Sequence, residues 1–249
     1  MKSVIYSIVL LLICQAAGNA ESSPILEDKN QDGIISALAF GDSITFGIGD
    51  DSSNGGYPSR LAALVGIPVA NQGIPGEQIT EEGVHRAPSV LLSSSADLLF
   101  LMEGANDANQ QKSSGIYRSA VQRIINVAVA LGKEPVLFTL PPPCCDRGAQ
   151  APFTNSYSSE IKQIAASNSL SIVDQQLAWT TTCEGSECHL YNLPDGLHPN
   201  STGYTVMAQV AAATLLGIDI FAEEGANELE EALALPEGTV IVKPSSEEE

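Results

Sequence analysis

The sequence has few basic residues. Lys and Arg together number 11 against 30 Asp and Glu, and the formal net charge is −19 at pH 7. Nucleic acids and anionic membrane surfaces attract proteins mainly through clustered positive charge. Such a deficit of positive charge therefore argues against nucleic acid, and against anionic membrane surfaces, as partners bound through bulk electrostatics.

The sequence also lacks an apolar run long enough to cross a bilayer comfortably. Its first apolar run, residues 4–13, follows a basic residue and precedes small residues that end at Ala20. This order is typical of a secretory signal peptide. We expect residues 1–20 to be removed, a secreted or periplasmic location, and no membrane span in the mature chain. A lipid anchor at Cys14 and a retained N-terminal anchor are the alternatives.

Cysteines are scarce, but their number is informative. Four remain beyond the expected signal peptide: Cys144, Cys145, Cys183 and Cys188. An even number in an exported chain predicts two disulfides, with three possible connectivities. A local Cys183–Cys188 loop is one option, but a bond between the adjacent Cys144 and Cys145 would strain the backbone, which favours cross-links between the two pairs. No metal site is expected, because no second histidine and cysteine cluster has zinc-ligand spacing.

Five short apolar runs end in turn residues, and helix-like stretches lie between them, the clearest from Tyr117 to Leu131. Strands that alternate with helices predict an α/β fold with a parallel sheet covered on both faces. The runs are 36–40, 67–70, 97–102, 135–140 and 171–173. We expect a polar lead-in over residues 21–35, one domain over 36–221, and a solvated acidic tail over 222–249, in which residues 239–242 could add an edge strand.

Three short polar segments lie along this alternating pattern, in the order Gly41-Asp42-Ser43, Gly104-Ala105-Asn106-Asp107 and Asp195-Gly196-Leu197-His198-Pro199. Together they provide a nucleophile, an amide donor, and a base with a carboxylate partner, which are the groups that ester cleavage needs. Most of these groups follow predicted strands, so they should meet at the carboxyl edge of the sheet.

These segments resemble the four sequence blocks of the SGNH (GDSL) hydrolases, at Ser43, Gly73, Asn106 and His198. The resemblance runs from about residue 37 to residue 216. It implies a three-layer α/β/α sandwich, flavodoxin-like, with a five-stranded parallel sheet. No Gly-x-Ser-x-Gly elbow surrounds Ser43, which disfavours the α/β-hydrolase fold.

The resemblance also implies the role of each residue. Ser43 would be the nucleophile, His198 the general base, and Asp195 the carboxylate that orients the histidine. The oxyanion hole would be formed by the backbone N–H groups of Ser43 and Gly73 and by the Asn106 side-chain amide. Asp107 is expected to hold its loop rather than to do chemistry. No metal and no cofactor is expected.

The sequence therefore predicts an exported serine esterase that cleaves short-acyl carboxylic esters, with a small-molecule or glycan ester as substrate. Few aromatic residues (5%) and the lack of an insertion for an apolar lid favour short acyl groups. The alternatives within the family are a carbohydrate acetylesterase and a lysophospholipase or thioesterase. The oligomeric state stays open.

The alternative that is not an enzyme is a glycan-binding or calcium-binding surface protein. Asp28-Lys29-Asn30-Gln31-Asp32-Gly33 has the spacing of the first half of a calcium loop, but Ala39 stands where the closing glutamate belongs. A solvated acidic turn is the favoured interpretation of this segment.

Overall fold

The structure is a computed structural model that describes residues 25–52, 55–183 and 188–245. At its centre is a five-stranded sheet in the order β2-β1-β3-β4-β5, and every neighbouring pair is parallel. The strands are β1 (Ala37–Gly41), β2 (Val69–Gly73), β3 (Leu98–Met102), β4 (Glu134–Phe138) and β5 (Ser171–Val173). The predicted α/β class and the parallel five-stranded sheet are confirmed, and the strand order is the flavodoxin-like one.

Helices cover the sheet in two groups. α2 packs on α8, while α3 and α6 pack on α5 in a second group. A π-helical turn spans Ile79–Gly83 and a 3₁₀ helix spans Cys145–Gln150. The helices are α1 (Ser43–Phe46), α2 (Gly56–Val65), α3 (Val84–Leu92), α4 (Ala105–Asn109), α5 (Ser114–Ala130), α6 (Ala151–Asn168), α7 (Gln175–Thr182), α8 (Ser201–Leu216) and α9 (Gly225–Ala232).

Burial of the central strands explains their sequences. Every residue of β1 and β3 is buried, so both read as continuous apolar runs rather than as alternating patterns. β1 lies between β2 and β3, where the strand order reverses, and such a switch point opens a crevice at the carboxyl edge of the sheet. Ser43 is two residues beyond the end of β1 and therefore stands at this crevice.

The C-terminal segment differs from the expected solvated tail. α9 packs onto the body of the protein through Leu229, which is fully buried, and Val242 is also buried. Residues 239–242 form no strand; the Gln209 side chain on α8 donates to the carbonyl of Thr239 and accepts from the N–H of residue 241. The physical reason is that α8 is apolar nearly all round, so it must be covered on more than its sheet side.

The expected cross-links between the two cysteine pairs are wrong. Cys183 and Cys188 form a disulfide with each other, with their Cα atoms 5.0 Å apart. This pairing is the local loop that the sequence left open as an option. The Sγ atoms of Cys144 and Cys145 lie 2.8 Å apart, at the start of the 3₁₀ helix.

Two carboxylates accept backbone hydrogen bonds from the acidic turn near the start of the described chain. The Asp28 carboxylate accepts from the N–H groups of Asp32 and Gly33, and Asp97 accepts from the N–H groups of Lys29 and Asn30. In the part of the chain that the structure describes, no group of three or more His, Cys, Asp or Glu side chains is arranged to hold a metal ion. No described helix is both long and apolar enough to serve as a membrane span.

Candidate active site

A tight turn presents Ser43. β1 ends at Gly41, and a Cβ at that position would lie 2.0 Å from the carbonyl oxygen of Met102. Only glycine therefore lets β1 and β3 approach each other at this point. Asp42, rather than Ser43, is the N-cap of α1, since its carboxylate accepts from the N–H of Ile44 at 2.9 Å. The Ser43 hydroxyl is thus left for other contacts.

Ser43, His198 and Asp195 form one hydrogen-bonded chain. The Ser43 Oγ lies 3.0 Å from His198 Nε2, and His198 Nδ1 lies 2.8 Å from Asp195 Oδ2. With Nδ1–H donating to the carboxylate, Nε2 is the ring nitrogen that can accept the serine proton. The structure thus brings together the three residues that the sequence places in catalysis.

The loop before α8 also fixes the orientation of Asp195. The same Oδ2 atom accepts from the backbone N–H of His198 at 2.9 Å. Burial alone would raise the pKa of Asp195, but the hydrogen bonds from His198 outweigh burial and hold that pKa below its ordinary value. A second contact comes from Arg147, whose Nε lies 3.4 Å from Asp195 Oδ1. No motif surrounds Arg147 in the sequence, so the sequence alone gives no sign of this contact.

Asp42 joins the nucleophile turn to the turn that carries Asn106. Its Oδ1 accepts from Ile44 N–H and its Oδ2 from Ala105 N–H, at 2.9 and 3.2 Å. Complete burial raises the pKa of Asp42 to about 6, although these hydrogen bonds favour the charged form. The carboxyl therefore fixes the turns that carry Ser43 and Asn106 relative to each other.

The structure does not support Gly73 as an oxyanion donor. Its N–H donates to Asn71 Oδ1 at 2.9 Å, and is thus already used. Asn71 in turn donates from Nδ2 to the carbonyl of Thr45, at the end of α1. A Cβ on Gly73 would lie 2.2 Å from the backbone nitrogen of Phe46. Gly73 is required for this close packing of β2 against α1.

Three residues further along, the backbone N–H of Gly76 is available as a donor, unlike the N–H of Gly73. The φ of Gly76 is +86°, and within residues 25–52, 55–183 and 188–245 its N–H donates no hydrogen bond. Asn106 lies against the same turn, because its Nδ2 donates to the carbonyl of Glu77 at 2.9 Å. A second Nδ2 hydrogen of Asn106 stays available for an oxyanion. Asn71-Gln72-Gly73-Ile74-Pro75-Gly76 contains two glycines, and the sequence alone did not separate their roles.

Asp107 holds its loop, as the sequence analysis expects. Its two carboxylate oxygens accept from Ile79 N–H at 2.9 Å, from Thr80 N–H at 3.1 Å and from the Thr80 hydroxyl at 2.6 Å. These bonds fix the start of the π-helical turn that follows Gly76. Asp107 therefore contacts the backbone of the site and not the nucleophile.

A buried carboxyl that belongs to none of the predicted roles, that of Glu103, lies beside the site. Glu103 is 1% exposed, and among the described residues neither of its carboxyl oxygens has a hydrogen-bond partner. Burial raises its pKa well above the ordinary value, and the nearby carboxylates of Asp42, Glu77 and Asp107 raise it further. Burial and the neighbouring carboxylates thus both disfavour the charged form of Glu103.

Comparisons with known proteins agree with this geometry. The profile of the GDSL-like Lipase/Acylhydrolase family matches residues 39–206, which is more than half of the chain. The protein therefore belongs to the GDSL-like lipase and acylhydrolase family, the SGNH hydrolases. No curated protein matches the sequence closely enough to count as a relative.

Solved structures show the same fold at low sequence identity. A lipase/acylhydrolase from Enterococcus faecalis is 23% identical, with a TM-score of 0.62 over 74% of this chain and 96% of its own. A G-D-S-L lipolytic protein from Veillonella parvula is 22% identical, with a TM-score of 0.61 over 71% and 96%. A catalytic mutant of an acetylxylan esterase from Geobacillus stearothermophilus is 19% identical, with a TM-score of 0.60 over 73% and 94%.

Proposed function

We propose that this hydrolase is an exported serine esterase that cleaves short-acyl carboxylic esters through an acyl-enzyme. The observation that carries the proposal is the continuous chain from Ser43 Oγ through the His198 ring to the Asp195 carboxylate, with links of 3.0 and 2.8 Å. This arrangement activates a serine hydroxyl without a metal or an organic cofactor.

In the first half-reaction, His198 Nε2 takes the Ser43 proton as Oγ attacks the ester carbonyl. As negative charge develops on the carbonyl oxygen, this oxygen accepts hydrogen bonds from the Ser43 N–H, the Gly76 N–H and the Asn106 side-chain amide. His198 then gives its proton to the departing alcohol. In the second half-reaction, His198 takes a proton from a water molecule as the water oxygen attacks the acyl group on Ser43. The bond between the acyl group and Oγ then breaks, Oγ receives the proton from His198, and the acid leaves.

The acyl group has apolar side chains beside the nucleophile. Phe46 ends α1, Ile48 donates its N–H to the carbonyl of Ser43, and Ile74 directly follows Gly73. All three are exposed, at 50%, 38% and 42%. Exposed apolar side chains on the turns next to Ser43 are available to contact a short acyl group, which supports the short-acyl preference that the sequence suggests.

Export is supported by two features. The disulfide between Cys183 and Cys188 is typical of a chain that folds in an oxidising compartment. The signal-peptide pattern of residues 1–20 lies outside the described residues and stays a prediction from the sequence.

The test is hydrolysis of p-nitrophenyl esters from acetate to palmitate by the wild type and by Ser43→Ala. We expect the highest kcat/KM for the shortest chains and a loss of about four to six orders of magnitude in kcat for the variant. The matched control is Ser119→Ala, because among the described residues this exposed hydroxyl bonds only to a carbonyl of its own helix. Full activity in Ser43→Ala would contradict the serine mechanism, and a preference for chains of about ten carbons or more would contradict the short-acyl assignment.

A further inference from the structure

Two neighbouring cysteines, Cys144 and Cys145, meet at the start of the 3₁₀ helix. In an extended backbone the side chains of successive residues point to opposite faces and stay apart. Cys145 departs from that conformation, because its φ of +54° lies in the left-handed region. The two Sγ atoms are 2.8 Å apart, which exceeds the length of a disulfide bond by only about 0.8 Å. A small movement of either side chain would therefore bring the sulfurs to bonding distance.

The strain that disfavours a bond between adjacent residues is already present at Cys145. A left-handed backbone is unfavourable for a residue with a Cβ atom, and it persists where the surroundings impose it. A bond between the two Sγ atoms would impose it, because this bond closes a small ring that contains the peptide bond between Cys144 and Cys145. The unusual φ of Cys145 is therefore an argument for the bond rather than against it.

The exposure of the pair and the state of the other cysteines both favour this pairing. Cys145 is exposed and Cys144 is half-buried, so reagents in solution can reach the pair. Among the described residues the other two cysteines, Cys183 and Cys188, are already joined to each other. A bond between Cys144 and Cys145 would complete the two disulfides that four cysteines in an exported chain predict.

The pair contacts the loop that carries Asp195. Cys144 N–H donates to the carbonyl of Gly196 at 2.9 Å, and Asp146 N–H donates to the carbonyl of Pro194 at 3.1 Å. A Cβ on Gly196 would lie 2.4 Å from the carbonyl oxygen of Cys144 and 3.0 Å from its Sγ, so only glycine allows this approach. Because Asp195 lies between Pro194 and Gly196, both hydrogen bonds act on the backbone that positions its carboxylate.

We propose that Cys144 and Cys145 are joined by a disulfide in the mature protein, and that this bond holds the turn against which the loop of Asp195 rests. The bond forms by exchange with a disulfide of the compartment in which the protein folds. The Cys145 thiolate attacks that oxidant, forms a mixed disulfide and releases one thiolate. The Cys144 thiolate then attacks Cys145 Sγ and releases the second. The released thiolates take up the two cysteine protons, so one oxidant disulfide becomes two thiols for each bond formed.

The effect of this bond is local. A disulfide stabilises a protein mainly by constraining the unfolded chain, and a ring that spans two adjacent residues constrains very little of it. Reduction of the pair should therefore leave the protein folded and loosen only the turn at Cys144 and the loop that it contacts.

The first measurement is the redox state of the pair. The protein is incubated with oxidised glutathione, unfolded, alkylated with N-ethylmaleimide and digested, and the peptide that contains Cys144 and Cys145 is analysed by mass spectrometry. We expect no alkyl group on this peptide before reduction and two after it. Two alkyl groups without reduction would overturn the proposal, as would a glutathione adduct or a bond from either cysteine to another residue.

The second measurement is amide hydrogen exchange before and after treatment with reduced glutathione. Cys188 is 6% exposed, so this mild thiol should reduce the exposed pair first. In peptides that cover residues 143–150 and 190–198 we expect exchange to become about tenfold faster, because the bonds from Cys144 and Asp146 open more often. Equal exchange in the oxidised and reduced protein would overturn the proposal that the bond holds the turn.

Two double variants separate this effect from a general effect of the reductant. Cys144→Ser with Cys145→Ser should show the fast exchange without reductant and no response to it. The matched control, Cys183→Ser with Cys188→Ser, should keep the response of the wild type. A response to reductant that survives in the first variant, or is lost in the second, would overturn the assignment to Cys144 and Cys145.

The consequence for catalysis rests on the proposed esterase function. Because the loop carries Asp195, we expect kcat on p-nitrophenyl acetate to fall about threefold to tenfold on reduction and to recover on reoxidation. An unchanged kcat in protein whose exchange becomes faster would overturn this consequence. Absence of hydrolysis in both forms would refute the esterase function, while the alkylation and exchange results would still decide the disulfide.

Discussion

The buried carboxyls beside the site should make the protein more stable at mildly acidic pH than at mildly basic pH. Asp42 has a pKa of about 6 in the folded protein and its ordinary value of 3.8 in the unfolded chain. A raised pKa gives stability that is present below pH 3.8 and is lost as the pH rises through 6. The shift of about two units corresponds to about 3 kcal/mol, of which about half lies between pH 5 and pH 8.

Glu103 acts in the same direction, since its pKa is also raised by burial. The lowered pKa values of Asp50 and Asp195 do not oppose this trend. Their stabilising effect is fully present above the ordinary carboxyl pKa and is lost only as the pH falls below that value. We therefore expect the melting temperature to fall by at least about 3 °C from pH 5 to pH 8.

The assay is thermal unfolding followed by circular dichroism, in about 0.3 M NaCl to screen repulsion among the many surface carboxylates. In Glu103→Gln the buried side chain stays neutral, so the melting temperature should depend less on pH. Glu223→Gln removes the same charge from an exposed position and should keep the wild-type slope. A melting temperature that is equal or higher at pH 8, or a wild-type slope in Glu103→Gln, would refute the reasoning.

Further substitutions test the site and the fold. Asn106→Ala should lower kcat on p-nitrophenyl acetate about 10²–10³-fold with little change in KM, and an unchanged kcat would remove Asn106 from the oxyanion hole. Gly73→Ala should cost about 3 kcal/mol in urea unfolding because its Cβ meets the Phe46 backbone, whereas Gly76→Ala meets no atom within 4 Å and should cost about 1 kcal/mol. Replacing both Cys183 and Cys188 by Ser should lower the free energy of unfolding by about 2 kcal/mol, and equal stability would contradict the disulfide.

The sequence predicted the sheet well, and it singled out the three side chains that the structure brings into contact, because both depend on local patterns. The apolar runs end where β1, β3 and β4 end, within about two residues, since a buried strand must stop where polar turn residues begin. Ser43, Asp195 and His198 sit in short motifs whose chemistry limits the residue types that can occur there. Their contact across the sheet edge follows once the strands are parallel.

The choice between Gly73 and Gly76 could not be made from the sequence. Both glycines belong to one turn, and only the folded backbone shows that the N–H of Gly73 bonds to Asn71 while the N–H of Gly76 donates to no described residue. The packing of the C-terminal segment onto the protein could have been predicted from the sequence. α8 has almost no polar face from Gly203 to Leu215, and a helix of this kind requires cover from a second segment. The many glutamates of residues 222–249 obscured that requirement.

The order of the proposed catalytic residues along the chain has a consequence for synthesis. Ser43 and His198 are separated by 155 positions and meet only through the finished sheet. At ribosomal rates of about 5–20 residues per second, His198 is made roughly 8–30 seconds after Ser43. Throughout that interval the nascent chain carries a serine with no base to activate it. A ribosome that stalls before the last loop therefore leaves an inert product rather than an unregulated hydrolase.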